Sequence, residues 1–117
     1  MNEKFEIILL GEVWELLDKL DEKVKDKILY NIEKAKYVND PKLFKKLDKE
    51  IWEFRTKYRR LQYRLLSFWD KTDISQTVVV STHGIIKRTD KVPKSEIEKA
   101  RQIMKKYFEQ KRRNQKL

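Results

Sequence analysis

The sequence predicts an α+β fold, and three observations carry that expectation. Apolar residues recur at helical spacing through residues 13–35, aromatic and β-branched residues alternate with polar ones over 51–83, and a second helical stripe returns at 97–108. With 117 residues the chain has room for one core, so residues 1–117 are read as a single domain. Two glycines, two prolines and a charged fraction of 41% leave no place for long flexible linkers or low-complexity stretches.

Phe5 to Leu10 is a short apolar run closed by Gly11, the pattern of a buried first strand. Val13, Trp14, Leu16, Leu17 and Leu20 follow at helical spacing. Asp21 then stands as an N-cap before a second stripe of Val24, Ile28, Ile32 and Ala35, so the two helices form a hairpin. Asn39-Asp40-Pro41 stops the helical part, because the residue before a proline is pushed out of the helical region. Strands are expected at Ile51 to Thr56, Gln62 to Trp69 and Gln76 to His83, lying on a sheet with one covered face. The connections are the basic segment Lys57-Tyr58-Arg59-Arg60 and a turn from Asp70 to Ser75, which makes an antiparallel meander. A last helix begins after Lys91, with either Pro93 in its first turn or Ser95 as cap and Glu98 completing a capping box. Ile97, Ala100, Met104, Tyr107 and Phe108 form its apolar stripe, and residues 111–117 read as a basic, flexible, solvated tail. The predicted order is β-α-α-β-β-β-α.

The net charge of +10 is unevenly placed. Residues 1–50 carry 11 Lys and Arg against 12 Asp and Glu, residues 51–91 carry 9 against 4, and residues 92–117 carry 9 against 3. All of the surplus therefore lies beyond residue 50, which points to a basic face and a polyanionic partner, nucleic acid foremost. The absence of cysteine excludes disulfides, thiolate nucleophiles and thiolate zinc sites. Apolar stretches such as Ile7-Ile8-Leu9-Leu10 fall far short of a membrane span, and residues 1–12 do not resemble a signal peptide. The expectation is a soluble cytoplasmic protein without membrane contact.

The candidate chemistry centres on His83, the sole histidine, followed by Gly84, Lys87 and Arg88 where a strand is expected to end. Histidine exchanges protons near neutral pH, lysine and arginine stabilise phosphate charge, and glycine permits close backbone approach. A lone histidine at a strand end is more often a satisfied structural residue, and it is the neighbouring glycine and cations that favour chemistry here. Period-two alternation puts Glu53 and Arg55 on one strand face and Trp52 and Phe54 on the other, toward the core. Glu53 and Arg55 also suit a cross-strand salt bridge on a solvated face. Arg64 shares its face with Leu66 and Phe68, so it needs a defined anionic partner, either a carboxylate such as Glu53 or a bound phosphate. One histidine without cysteine makes a metal site improbable, and neither a glycine-rich phosphate loop nor a nucleophile elbow is present, so no cofactor is expected. Phosphodiester chemistry by side chains alone suits RNA, whose 2′-hydroxyl supplies the nucleophile. Arg55, Arg64, His83 and Lys87 could stabilise charge and move protons in such a site.

Three segments together resemble the phage-derived HigB-like toxins of the RelE/ParE superfamily: Ile51-Trp52-Glu53-Phe54-Arg55, Tyr63-Arg64-Leu65-Leu66-Ser67-Phe68, and His83-Gly84-Ile85-Ile86-Lys87-Arg88-Thr89-Asp90-Lys91-Val92-Pro93. The N-terminal strand and helical hairpin extend the resemblance over nearly the whole chain. It implies the compact RelE-like fold and the toxin of a type II toxin–antitoxin system, a ribosome-dependent mRNA endoribonuclease restrained by a helix-turn-helix antitoxin of the HigA kind. The family motifs fall on Trp52 to Arg55, on Tyr63-Arg64, and on His83, Lys87 and Arg88. Phe54 stands where leucine is usual, Arg88 replaces a second lysine, and residues 56–62 lack the usual glycine. Lys57, Arg59, Arg60, Arg88 and Lys91 are the expected RNA-binding residues. The same superfamily includes gyrase-poisoning toxins of the ParE kind, and a non-catalytic basic nucleic-acid-binding module would also account for the charge.

Overall fold

The computed structural model describes residues 3–115. Eight elements follow in the order β1 (Glu6–Leu9), α1 (Gly11–Asp18), α2 (Glu22–Ala35), β2 (Phe44–Lys46), β3 (Trp52–Tyr58), β4 (Leu61–Asp70), β5 (Val78–Lys87) and α3 (Lys94–Gln115). The expected α+β class and the N-terminal helical hairpin are both present. Asp21 opens α2 through its backbone carbonyl, which accepts from Val24 and Lys25, and its side chain makes no cap.

The strands form one sheet in the order β1-β5-β4-β3-β2. The meander β3-β4-β5 is antiparallel, as its alternation and short turns require, but β1 runs parallel to β5, with Glu6 opposite Val78 and Leu9 opposite Ser81. The sheet is therefore mixed, a correction to the antiparallel expectation, because strand order at long range leaves no trace in local periodicity. β2 was also not foreseen. Its three residues pair with β3 and are held by Phe44, which stacks on Phe54 at 4.3 Å and on Trp52 at 4.9 Å.

Both faces of the sheet are covered, where one was expected. Val13 and Leu17 of α1 and Val24, Ile28, Ile32 and Ala35 of α2 pack with Phe54, Tyr63, Leu65 and Val79 on one side. Ala100 and Met104 of α3 pack with Ile51, Leu66, Phe68 and Val80 on the other. This is why β4 is buried without interruption from Gln62 to Phe68 despite its polar residues.

The strand ends also move. β3 continues through Tyr58, so the connection to β4 is only Arg59-Arg60, a two-residue turn with both φ angles positive, 47° and 68°. That geometry normally recruits asparagine or glycine. β5 begins two residues later than expected and runs on to Lys87, which leaves His83 inside a strand and not at its end. The register shifts between Leu66 and Ser67, where Thr82 is the extra residue of a bulge. The bulge turns His83 and Ile85 to the α3 side, the side Val80 already faces. At Gly84 the close neighbours are leucines: a Cβ there would meet the end of the Leu16 side chain of α1 and lie 2.8 Å from that of Leu65.

α3 starts at Lys94, with the Pro93 carbonyl accepting from Glu96 and Ile97, so Ser95 lies inside the helix and does not cap it. The helix also continues through Gln115, where a tail was expected; residues 116 and 117 lie outside the described part. The anchor is Asp70 at the end of β4, 1% exposed, which accepts from Lys111 at 2.6 Å, Tyr107 at 2.7 Å and the Thr72 hydroxyl at 2.6 Å. Burial alone would raise the Asp70 pKa, but these donors outweigh it and hold the carboxyl far below the usual range. Among the described residues no helix is long and apolar enough to cross a membrane. Lys111→Met keeps the stem but removes the ammonium group, so it should cost about 1–3 kcal/mol in urea unfolding. A solvated tail would give no change.

Candidate functional site

Alternation along β3 puts Glu53, Arg55 and Lys57 on the α3 side of the sheet, and the register sets Leu66, Arg64 and Gln62 directly opposite them on β4. Two guanidinium groups thus face each other across adjacent strands, an arrangement that repels unless an anion lies between. Glu53 is that anion. Its Oε2 takes Nη1 of Arg64 at 2.8 Å and lies 3.4 Å from Nε of Arg55. Glu53 is 1% and Arg64 2% exposed, so the cross-strand pair is real but buried, and the anionic partner demanded by Arg64 is a carboxylate of the protein itself. Arg64 also donates to Gln62, and Arg55 to the Pro41 carbonyl at 3.1 Å. Glu53 Oε1 is buried without a partner among the described residues.

α3 covers the Ile51–Phe68 end of this face, while the Arg55–Arg64 end opens into a cleft of about 380 Å³. Lys42, Arg55, Thr56, Lys57, Gln62, Arg64 and Asp90 line it. Four cations line it against Asp90, with Glu53 buried behind two of them, so the cleft keeps a positive balance that suits an anionic group. Asp90 lies at its mouth, 3.3 Å from Arg64 and 3.9 Å from Arg55, with its side chain 80% exposed. A hydrogen bond with Gln62 and the nearby Arg64, Lys57 and Arg55 hold its pKa below the ordinary carboxylate value. Asp90 thus occupies the place an incoming phosphate would take.

Of the residues singled out from the sequence, the structure brings Arg55, Arg64 and Lys57 together in the cleft. Lys87 stands opposite Gln62 in register, at the cleft's margin, and Arg88 and Lys91 are exposed on the following loop. Arg59 and Arg60 project from the β3–β4 turn, with Arg59 over the Tyr58 ring at 5.3 Å. His83 is elsewhere: 3% exposed and outside the cleft lining, it is held against the first turn of α3. Its Nδ1 lies 2.9 Å from the Thr82 hydroxyl and its Nε2 3.1 Å from Glu96 Oε1. Both ring nitrogens are therefore engaged within the protein, and neither is left for a substrate. Burial lowers its pKa from 6.5, and Lys99 adds to this while Glu96 and Glu12 pull the other way.

Sequence reasoning missed Lys42, Gln62, Asp90 and Glu96. Gln62 was accessible through its register with Lys57, but Lys42 and Asp90 arrive from loops that only the folded chain brings together. Among the described residues no three His, Asp or Glu side chains are grouped to hold a metal ion.

Residues 15–105 match the sequence model of a family described as phage derived protein Gp49-like (DUF891). No curated protein matches the chain. The match extends from α1 into α3 and takes in every residue of the cleft, so the chain belongs to the phage-derived Gp49-like family, which is associated with toxins of toxin–antitoxin systems.

Glu53→Ala should leave the buried Arg64 charge uncompensated and cost about 3–5 kcal/mol in chemical denaturation. The double variant Glu53→Gln/Arg64→Met should recover much of that loss. Because the folded state disfavours protonated His83, the unfolded chain takes up the proton first: stability is complete above pH ~6.5 and declines as pH falls toward the folded value. Urea titrations from about pH 7.5 to 5 should show that decline, and His83→Gln should flatten it.

Proposed function

We propose, with membership of the phage-derived Gp49-like family as the premise, that this protein is the toxin of a type II toxin–antitoxin pair and cleaves mRNA on the ribosome. The observation that carries this reading is the Arg55–Arg64 pair, opposed across β3 and β4, oriented by one buried carboxylate and open to a lysine-rimmed cleft. Guanidinium groups fixed in advance, partly out of water, stabilise charge that develops in a transition state at little reorganisation cost.

In RNA the 2′-oxygen attacks the neighbouring phosphorus and the bond from phosphorus to the 5′-oxygen breaks, leaving a 2′,3′-cyclic phosphate; the 2′-proton passes to water and the 5′-oxygen takes one from a lysine. Arg55 and Arg64 hold the non-bridging oxygens as negative charge builds on them, and Lys57 and Lys87 carry protons suited to the departing 5′-oxygen. Asp90, the carboxylate in the cleft lining, is a weak base because the hydrogen bond with Gln62 and then the surrounding cations hold its pKa below the ordinary carboxylate value. Such a cleft is rich in charge stabilisation and poor in proton acceptance. It suits an enzyme whose substrate is aligned by another assembly, since an in-line 2′-hydroxyl gains from positioning what it lacks from a base. His83 acts here as a positioning residue that fixes β5 to α3, and Lys42, Arg59, Arg60, Arg88 and Lys91 hold flanking phosphates. The antitoxin is an acidic or extended partner with a helix-turn-helix domain, and the site of action is the cytoplasm, where ribosomes are.

The test uses Arg55→Gln/Lys57→Gln, both partly or fully exposed positions whose replacement leaves the core intact. Growth arrest on expression should disappear, and mRNA cleavage in a purified translation reaction should fall about 100-fold or more with the thermal melt preserved. Full toxicity of the folded variant overturns the cleft as the site. Trapped gyrase–DNA cleavage complexes with intact mRNA select the gyrase-poisoning reading.

A further inference from the structure

A second groove lies at the far end of β3 and β4, beside Met104 and Phe108 of α3. Its volume is about 610 Å³, and its lining alternates aromatic and basic groups: Trp52, Trp69 and Phe108 with Lys46, Lys49 and Lys71. Trp52 and Trp69 meet edge to face at 5.6 Å, and Lys71 lies over the Trp69 ring at 5.2 Å. Among the described residues Lys46, Lys49 and Lys71 make no ion pair with a carboxylate, and the carboxylate of the groove, Glu50, lies 3.7 Å from Arg101. Each of the three rings is only partly buried, with Trp52 stacked on Phe44 at 4.9 Å from one side and Trp69 meeting Phe5 edge to face at 5.4 Å.

We infer that this groove binds a single-stranded RNA segment flanking the phosphate held in the Arg55–Arg64 cleft, stacking its bases on the aromatic rings and pairing its backbone with the lysines. The inference rests on the RNA reading of the cleft. A lysine on an edge strand, as Lys46 is, commonly guards against aggregation, but that role does not account for Lys49 and Lys71 grouped with it around two partly exposed tryptophan rings. Aromatic platforms set among cations are what a single strand requires, since every base offers a flat face and every linkage a negative charge. The two sites are also joined. Lys42 lines the cleft and Lys46 the groove, four residues apart along the edge of the sheet and so separated by at most ~14 Å of chain, and the exposed Lys45 lies between them.

The test is fluorescence anisotropy of the full chain with a labelled 12-nucleotide RNA whose riboses are 2′-O-methylated to block cleavage. Trp52→Leu and Phe108→Leu keep apolar bulk, and each should weaken binding about 5- to 150-fold, while Lys46→Gln/Lys49→Gln/Lys71→Gln should lower the salt dependence. An abasic strand of equal length should bind the wild type no better than it binds the leucine variants. Equal affinity of the wild type for abasic and base-bearing strands overturns the stacking. So does a polyglutamate peptide that competes as well as RNA, which would make the groove a seat for an acidic protein segment. If groove variants bind normally while Arg55→Gln/Lys57→Gln binds weakly, the groove is refuted and the cleft stands; if the cleft variant also binds normally, the RNA reading itself fails.

Discussion

The buried contact of Glu53 with Arg64 is the constraint around which the sheet and its cleft are arranged. Removing two charges from water is costly, and the pair persists because the carboxylate meets guanidinium groups from two neighbouring strands at once. That geometry pins the β3–β4 register, since a slip of one residue would turn Glu53 toward the α1–α2 core and separate it from Arg64. It also sets the direction of the site. With one oxygen of Glu53 serving both arginines, the remaining guanidinium nitrogens point to Gln62, to the Pro41 carbonyl and to the cleft mouth. Placing these groups on paired strands gives them a precision that loop residues lack.

The parts of the fold legible in the sequence were those governed by local periodicity. The stripes from Val13 to Ala35 and from Ile97 to Phe108 fixed the helices, and the alternation of Trp52, Glu53, Phe54 and Arg55 assigned faces that the structure keeps. Long-range features were not legible. The parallel pairing of β1 with β5, the short β2 and the second covered face all depend on which segments meet after collapse. The same division runs through the site. Arg55 and Arg64 follow from strand alternation, whereas Asp90 and Lys42 enter from loops whose course no pattern reveals.

His83 shows most plainly why a face assignment can fail. Counting by twos from Val79 puts it toward α1 and α2, but the extra residue at Thr82 reverses the count and delivers the ring to Glu96 of α3. A bulge has no sequence signature of its own here, since Thr82 is an ordinary β-branched strand residue. Lys111 gives the parallel lesson for α3. Its basic neighbours suggest a solvated tail, and only the buried Asp70, about forty positions earlier in the chain, accounts for the ordered helix.

The parallel pairing of β1 with β5 bears on when the protein becomes complete. Of the described elements β1 is made first and its partner β5 next to last, so β1 keeps an open hydrogen-bonding edge until β5 is available. The cleft waits on the same event, because Asp90 follows β5 and α3 closes the face behind it. Formation of the cleft is thereby deferred, by topology alone, until β5 and the segment that follows it have been made.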